Sequence, residues 1–342
     1  MEQKSIEELG EFGLIDHLTN DFVSKHPQTI KGIGDDAAVI KRGDKAVLIS
    51  TDMLVEGIHF DMMYSPLMHL GYKSVVVSLS DIFAMNAVPT HITMSIALSS
   101  KYDTAALTEL YQGVKKACDF YNVDLIGGDT TSSLKGMIIS VTAYGSADEK
   151  DVVYRSGARN GDVLCVTGDL GAAYLGLQIL EREKRLYLDN PGVQPELSKH
   201  QYAIERQLKP EARRDTIEYF KKNGFKPTSM IDISDGLSSD LMHLCKQSSL
   251  GAHIEEGKVP MHDDTQTMAI DFRLDPITCA LSGGEDYELL FTIDPKDLDK
   301  IRYMPDMAII GEMNDPKDGV KLHTTGGNIY PLKAQGWNHF EE

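Results

Sequence analysis

Aspartates recur in this chain where apolar runs break off. Asp52 follows the run KAVLIST, Asp129 stands in LIGGDT, Asp232 and Asp235 stand in IDISDG, and an adjacent pair, Asp35 and Asp36, lies in GIGDDAAV. A single acidic pair is usually a solvated turn. Several acids that converge are different, because two unit charges about 4 Å apart repel by about 4 kcal/mol at an effective dielectric near 20, so such a group calls for cations. Donors that are all oxygen, with Ser50 and Thr51 beside Asp52, suit hard Mg²⁺ rather than zinc. Asp81 sits among Val75, Val76, Val77, Leu79, Ile82 and Phe83, where an unpaired carboxylate is costly to bury. A ligand role would remove that cost, although helical periodicity alone leaves Asp81 equally free to face solvent. Glycine pairs precede Asp129 (Gly127, Gly128) and Glu285 (Gly283, Gly284), where the backbone can approach a ligand closely or simply turn.

Other phosphate-binding devices are missing. Gly32, Gly34 and Ala37 have the spacing of a dinucleotide fingerprint, but HPQTIK before them is no buried strand and the central Asp35 and Asp36 would repel a pyrophosphate. No GxxxxGK[ST] occurs, so no P-loop lysine neutralises a triphosphate and metal ions are the natural substitute. The net charge, 34 − 52 = −18, disfavours nucleic acid and anionic membranes. Bound divalent cations can nevertheless reverse the sign locally.

The elements that must position these residues follow from patterning. At 342 residues the chain suits two α/β domains with a cleft between them. No run reaches the roughly 20 apolar residues of a membrane helix, and MEQKSIEELGEF resembles no targeting segment, so a soluble, cytoplasmic protein is expected. Cys118, Cys165, Cys245 and Cys279 are widely spaced in apolar stretches and read as reduced core thiols. A helix is expected from Phe12 to Val23, a strand over Ala46 to Ile49 ending at Ser50 to Asp52, and a helix from Pro66 to Asn86 opened by its proline. ITMSIAL, VDLIGGDT and GMIISVTAYG read as strands around a helix carrying Leu107, Leu110, Val114 and Ala117. The first domain is placed at 1–147 and the second at 148–342. In the second, GDVLCVTGDLGAAYLGLQIL and MIDISDGLSSDLMHL read as strand-then-helix units, residues 183–200 as a surface loop, EARRDTIEYFKKNG as a helix, and TCALSGG and YELLFTI as strands.

GEFGLI, GIGDD, ISTDMLVEGIHF, SLSD, LIGGDT, RSGA, IDISDG, SGGEDYEL and GWNHF together resemble the thiamine-monophosphate kinase family along essentially the whole chain. The resemblance implies an α/β (α+β) fold of the aminoimidazole-ribonucleotide-synthetase-like superfamily. Its N-terminal domain would contribute to a β-barrel shared in a homodimer. It implies metal ligands at Asp36, Ser50, Thr51, Asp52, Asp81, Asp129, Asp232 and Asp235. ATP contacts would fall on Tyr111, Gly128, Asp129, Arg155 and Ser234, and thiamine phosphate contacts on His59, Glu285 and Trp337. Several Mg²⁺ per site are implied, with ATP as co-substrate and a monovalent cation as a further expectation. VTGDLGAAYLGL departs from the family's usual Asp-Ser-type pair, so Gly168 to Gly171 receive no ligand role.

The implied reaction is direct in-line transfer of the ATP γ-phosphoryl group to thiamine phosphate. The acceptor oxygen is already anionic, so no nucleophilic side chain or strong base is required. Aminoimidazole ribonucleotide synthetase is the rival enzyme on fold alone. A non-catalytic metal-binding module is the rival from another class, and no EF-hand loop supports it.

Overall fold

The computed structural model describes residues 6–333. Two sheets organise them. The first contains β1 (Thr29–Lys31), β2 (Ala38–Arg42), β3 (Lys45–Val55), β4 (Val88–Leu98), β5 (Asp124–Ser132) and β6 (Ile138–Asp148), in the order β1-β2-β3-β6-β4-β5. Its helices are α1 (Ile6–Thr19), α2 (Leu67–Ala84) and α3 (Thr104–Tyr121). The second contains β7 (Val163–Thr167), β8 (Ser229–Asp232), β9 (Gly251–Glu255), β10 (Leu289–Ile293), β11 (Met307–Asn314), β12 (Val320–His323) and β13 (Ile329–Pro331), in the order β13-β12-β9-β11-β7-β10-β8. With it go α4 (Ala172–Asp189), α5 (Gln201–Leu208), α6 (Arg214–Lys222), α7 (Leu237–Ser248), α8 (Asp263–Asp271), α9 (Pro276–Ser282) and α10 (Leu298–Ile301).

Period-two alternation decides what each face of the first sheet does. Ile139, Val141 and Ala143 on β6, with Ala46, Leu48 and Leu54 on β3, are buried toward α2. Ser50 and Asp52 share that parity, so they too point under α2. The opposite face presents Thr51, Thr142 and Thr93 in one row and Met53, Ser140, Ser95 and Asp129 in the next. Strand β5 is exposed along its whole length at the sheet edge.

The two halves share apolar packing. The core built on α2 and the first sheet also takes in Ile217 and Phe220 of α6 and Leu289, Phe291 and Ile293 of β10. Burial of such side chains stabilises by about 1.5–3 kcal/mol each, so the second sheet is held against α2 rather than tethered by a linker.

Several expectations need correcting. Ser50 to Asp52 lie in the middle of β3, not past its end, because the β6 ladder continues through Val55. TCALSGG is not a strand: Asp275 caps the Ile277 N–H and Pro276 opens helix α9, and a short apolar run alone does not separate helix from strand. The surface loop begins at 190, since α4 runs on to Asp189. The first helix spans Ile6–Thr19 and leaves Phe22 and Val23 exposed beyond it. All four cysteines are buried and free.

Helices α2 and α3 touch backbone to backbone at two glycines. A Cβ on Gly113 would sit 1.9 Å from the Met68 carbonyl oxygen, and one on Gly71 2.0 Å from that of Leu110. Gly113→Ala should therefore destabilise by about 1–3 kcal/mol through overpacking, against the helix-propensity gain of about 1 kcal/mol that alanine otherwise brings. Urea denaturation reads the sign.

Candidate active site

Asp36 enters from the turn before β2, Asp81 from the last turn of α2 and Asp232 from the end of β8. One carboxylate oxygen from each lies within 4.8 Å of the others. Asp52, pointing in from β3, adds its field to both Asp81 and Asp232. Each acid is held by its surroundings. Arg155 Nε and Nη2 donate to Asp36 Oδ1 at 3.1 and 2.7 Å, and the Arg155 backbone N–H donates to Asp35 Oδ1 at 3.1 Å. Ser50 donates to Asp81, Ser80 Oγ donates to Asp232 Oδ2 at 2.6 Å, and the Ser78 hydroxyl, which donates to the Val141 carbonyl at 3.3 Å, eases the charge of Asp52.

At the 4.8 Å separation, each ionised pair repels by about 3.5 kcal/mol at an effective dielectric of 20. Burial, then the charges of Asp52, Asp232 and Asp36, push Asp81 well above the usual carboxylate range. Burial and then Asp36 push Asp232 up to about 7, with Ser80 and Arg155 pulling back. Burial raises Asp36 and Asp52 in the same direction, and burial followed by Asp36 raises Asp35 to about 6. Asp36 Oδ2 and Asp52 Oδ2 are buried without a hydrogen-bond partner. Orphaned anionic oxygens, all hard donors, fit a hard divalent cation.

The other expected residues are distributed differently. Ser234 and Asp235 lie in the turn between β8 and α7, next to Asp232. Thr51 points to the opposite sheet face, where its hydroxyl donates to the Val141 carbonyl at 3.2 Å. Asp129 is also on that face, on β5, three strands from β3 and so about 14 Å away laterally. One chain does not bring Thr51 or Asp129 to the four acids. Gly128 lies beside Asp129 on β5, and Tyr111 stands on the exposed side of α3. Trp337 lies outside the described residues.

His59 and Glu285 meet at a seam between the two halves. His59 Nδ1 accepts the Val55 N–H at 3.0 Å and lines a small cavity with Phe60, Tyr64, Lys73 and Gln207. Glu285 reaches the same place, since Lys73 Nζ lies 2.9 Å from its Oε2. Tyr64 and Ser65 also border a larger cavity of about 530 Å³ lined by Met62, Leu180 and Tyr187. The turn bearing Glu285 is unusual, with φ +58 at Glu285 and +52 at Tyr287. Gly284, itself at φ +70, lets the chain pass the Ser234 carbonyl, which a Cβ would meet at 2.6 Å. Behind the turn, Glu288 is gripped by Arg206 and Arg213 and accepts from Thr167 Oγ1 at 2.7 Å.

Sequence reasoning missed Lys73, Tyr287 and Asp240. Lys73 carried a signal, being a charge inside an apolar helix like Asp81. Tyr287 is buried and feels Glu285, Asp52, Asp232 and Asp81, and nothing in EDYEL distinguishes it from a core tyrosine. Asp240 is buried and accepts the N–H groups of Asp235 and Gly236 at 3.2 and 3.1 Å, thereby shaping the IDISDG turn.

Known proteins share this two-part architecture. Residues 34–147 match the N-terminal domain, and residues 159–323 the C-terminal domain, of AIR synthase related proteins, which defines the class. A solved structure described as AaThiL complexed with AMPPCP and TMP superposes with a TM-score of 0.84 at 32% identity, covering 99% of this chain and 100% of that one. Thiamine-monophosphate kinases of Aquifex aeolicus and of Buchnera aphidicola from Schizaphis graminum are 35% and 37% identical, over 98% and 97% of this chain and 99% of each relative. The chain belongs to the thiamine-monophosphate kinase family. Hydrogenase maturation protein HypE, at 18% identity and a TM-score of 0.67 over 94% of both chains, shares the fold alone.

The raised carboxylates set a pH dependence. An acid whose folded pKa exceeds its unfolded value keeps its proton longer when folded, so its ionisation removes stability as pH rises through that window. For Asp232 the window runs from about 4 to about 7. In EDTA, Asp232→Asn should be more stable than the parent at pH 8 and no more stable at pH 4.5, read by urea denaturation. Equal effects at both pH values would contradict the assignment.

Proposed function

We propose that this chain transfers the γ-phosphoryl group of ATP to thiamine phosphate, giving thiamine diphosphate and ADP, the final step of thiamine diphosphate biosynthesis. The observation that carries the reading is the convergence of Asp36, Asp81 and Asp232 in one cluster that also feels Asp52, on a helix whose Lys73 reaches Glu285, in a chain of this family.

Mg²⁺ ions held by these four acids, with Ser50 and Asp235, would neutralise the two polyanions and let them approach. Arg155, paired with Asp36 at 2.7 Å, and Ser234, two residues after Asp232, would meet a nucleotide phosphate in this reading. Glu285 offers a counter-charge to the cationic thiazolium, and His59 a polar edge. No side chain needs to become a nucleophile, because the acceptor phosphate already carries an anionic oxygen. Catalysis then consists of positioning and charge neutralisation. The monovalent cation remains part of the proposal, as do Tyr111, Gly128 and Trp337 as ligand contacts and the division of domains at 147/148. The end of the first sheet at Asp148 and the start of the second at Val163 support that division.

A homodimer is part of the same reading. The fully exposed edge strand β5, with Leu125 41% and Ile126 60% exposed, is the kind of unprotected edge that seeks a partner. A second copy on this face would cover Thr51 and Asp129. No described helix is long and apolar enough to cross a membrane, in keeping with a cytoplasmic enzyme.

ADP release coupled to a dehydrogenase assay should require both thiamine phosphate and Mg²⁺; ADP without acceptor would contradict the reading. Asp52→Ala should abolish turnover while the apo protein unfolds at the same temperature or higher, since a repelling charge is gone. Near-normal turnover of this variant at saturating Mg²⁺ discards the metal assignment.

A further inference from the structure

We propose that Lys73 positions Glu285 for the acceptor, acting across the seam between the two halves of the molecule. The proposal rests on the kinase reading above and deepens it. Lys73 is 4% exposed in the body of α2, where an ammonium without compensation is costly. Its Nζ lies 2.9 Å from Glu285 Oε2 and 3.0 Å from the Gln207 carbonyl oxygen. Gln207 Nε2 donates to the same Glu285 oxygen at 2.6 Å. Both donors act on one oxygen, which holds Oε2 in place and leaves Oε1 outside the pair.

Regular secondary structure does not aim this side chain. Glu285 sits at φ +58, a region that L residues occupy only when their surroundings insist. Its N–H is pinned to the Ser234 carbonyl at 2.7 Å, which sets the backbone but not the carboxylate. The buried ammonium sets the carboxylate. Lys73 and Asp81 belong to the same helix, eight residues and about 12 Å apart, so α2 carries both the acid group and the anchor of Glu285. Lys73 also lines the small cavity together with His59 and Tyr64. It is a positioning residue: it reaches the acceptor only through Glu285.

Lys73→Met keeps the chain length and removes the charge. The Michaelis constant for thiamine phosphate should rise about tenfold, as for loss of a charge-assisted hydrogen bond, while KM for ATP holds and kcat changes less. The same substitution made in a Glu285→Gln background should add little, because its effect passes through that carboxylate. Lys73→Arg should recover part of the loss, and Lys73→Gln supplies the uncharged comparison if Lys73→Met fails to fold. An unchanged KM for thiamine phosphate in the uncharged variant, or a loss fully additive with Glu285→Gln, would overturn the proposal while leaving the kinase reading intact. A parent protein inactive on thiamine phosphate would overturn the kinase reading itself, and this proposal with it.

Discussion

Mutual repulsion among buried and half-buried carboxylates is the constraint around which this molecule is arranged. Asp36, Asp81 and Asp232 come within 4.8 Å of one another, Asp52 stands against them, and Arg155 balances only part of that charge. Left to itself such a group would fly apart. It is held because each acid is carried by an element committed elsewhere: β3 to the β6 ladder, α2 to a nearly continuous apolar burial, and β8 to β10. The hydroxyls of Ser50, Ser78 and Ser80 then accommodate the ionised form. Folding energy stored in two sheets and a helix thus holds together carboxylates whose hard oxygen donors suit a divalent cation.

The shared core explains why the site can span both halves. Ile217, Phe220, Leu289 and Phe291 join the core of the first sheet, so Asp232 and Glu285 from the second half hold fixed positions relative to Asp81 and Lys73 on α2. The helix is buried along almost its whole length, which limits sliding at the seam. The turn at 284–287, with its positive φ values, is anchored from behind by the Glu288 ion pairs with Arg206 and Arg213. An acid group and the proposed acceptor seam, both built on one buried helix, would suit in-line transfer, where misplacement by an ångström is costly.

Much of the acid group was legible because acids that interrupt apolar runs are costly unless they do something. Asp52, Asp81 and Asp232 come to notice that way, whereas Asp36 stands in an acidic pair that by itself reads as a turn. Facing was harder to read. Thr51 and Asp52 are neighbours, yet alternation sends them to opposite sides of β3, and only the register with β6 shows which side is covered. Asp129 has the same local signature as Asp232, but β5 sits at the sheet edge with its partner strands between it and the group. TCALSGG read as a strand because seven apolar and small residues carry too little periodicity, and the cap at Asp275 decides the matter. Lys73 shows locally only as a charge inside an apolar helix, and its partners Glu285 and Gln207 lie far away in the chain; Tyr287 likewise feels distant acids, while Asp240 serves the IDISDG turn beside it.

The central claim is that the acid group exists to hold metal. Crystals grown with Mn²⁺ and a non-hydrolysable ATP analogue, examined by anomalous diffraction, test it most directly. Peaks about 2.2 Å from oxygens of Asp36, Asp52, Asp81 and Asp232 are the expected result. A well-ordered nucleotide with no anomalous density among those four carboxylates would contradict it.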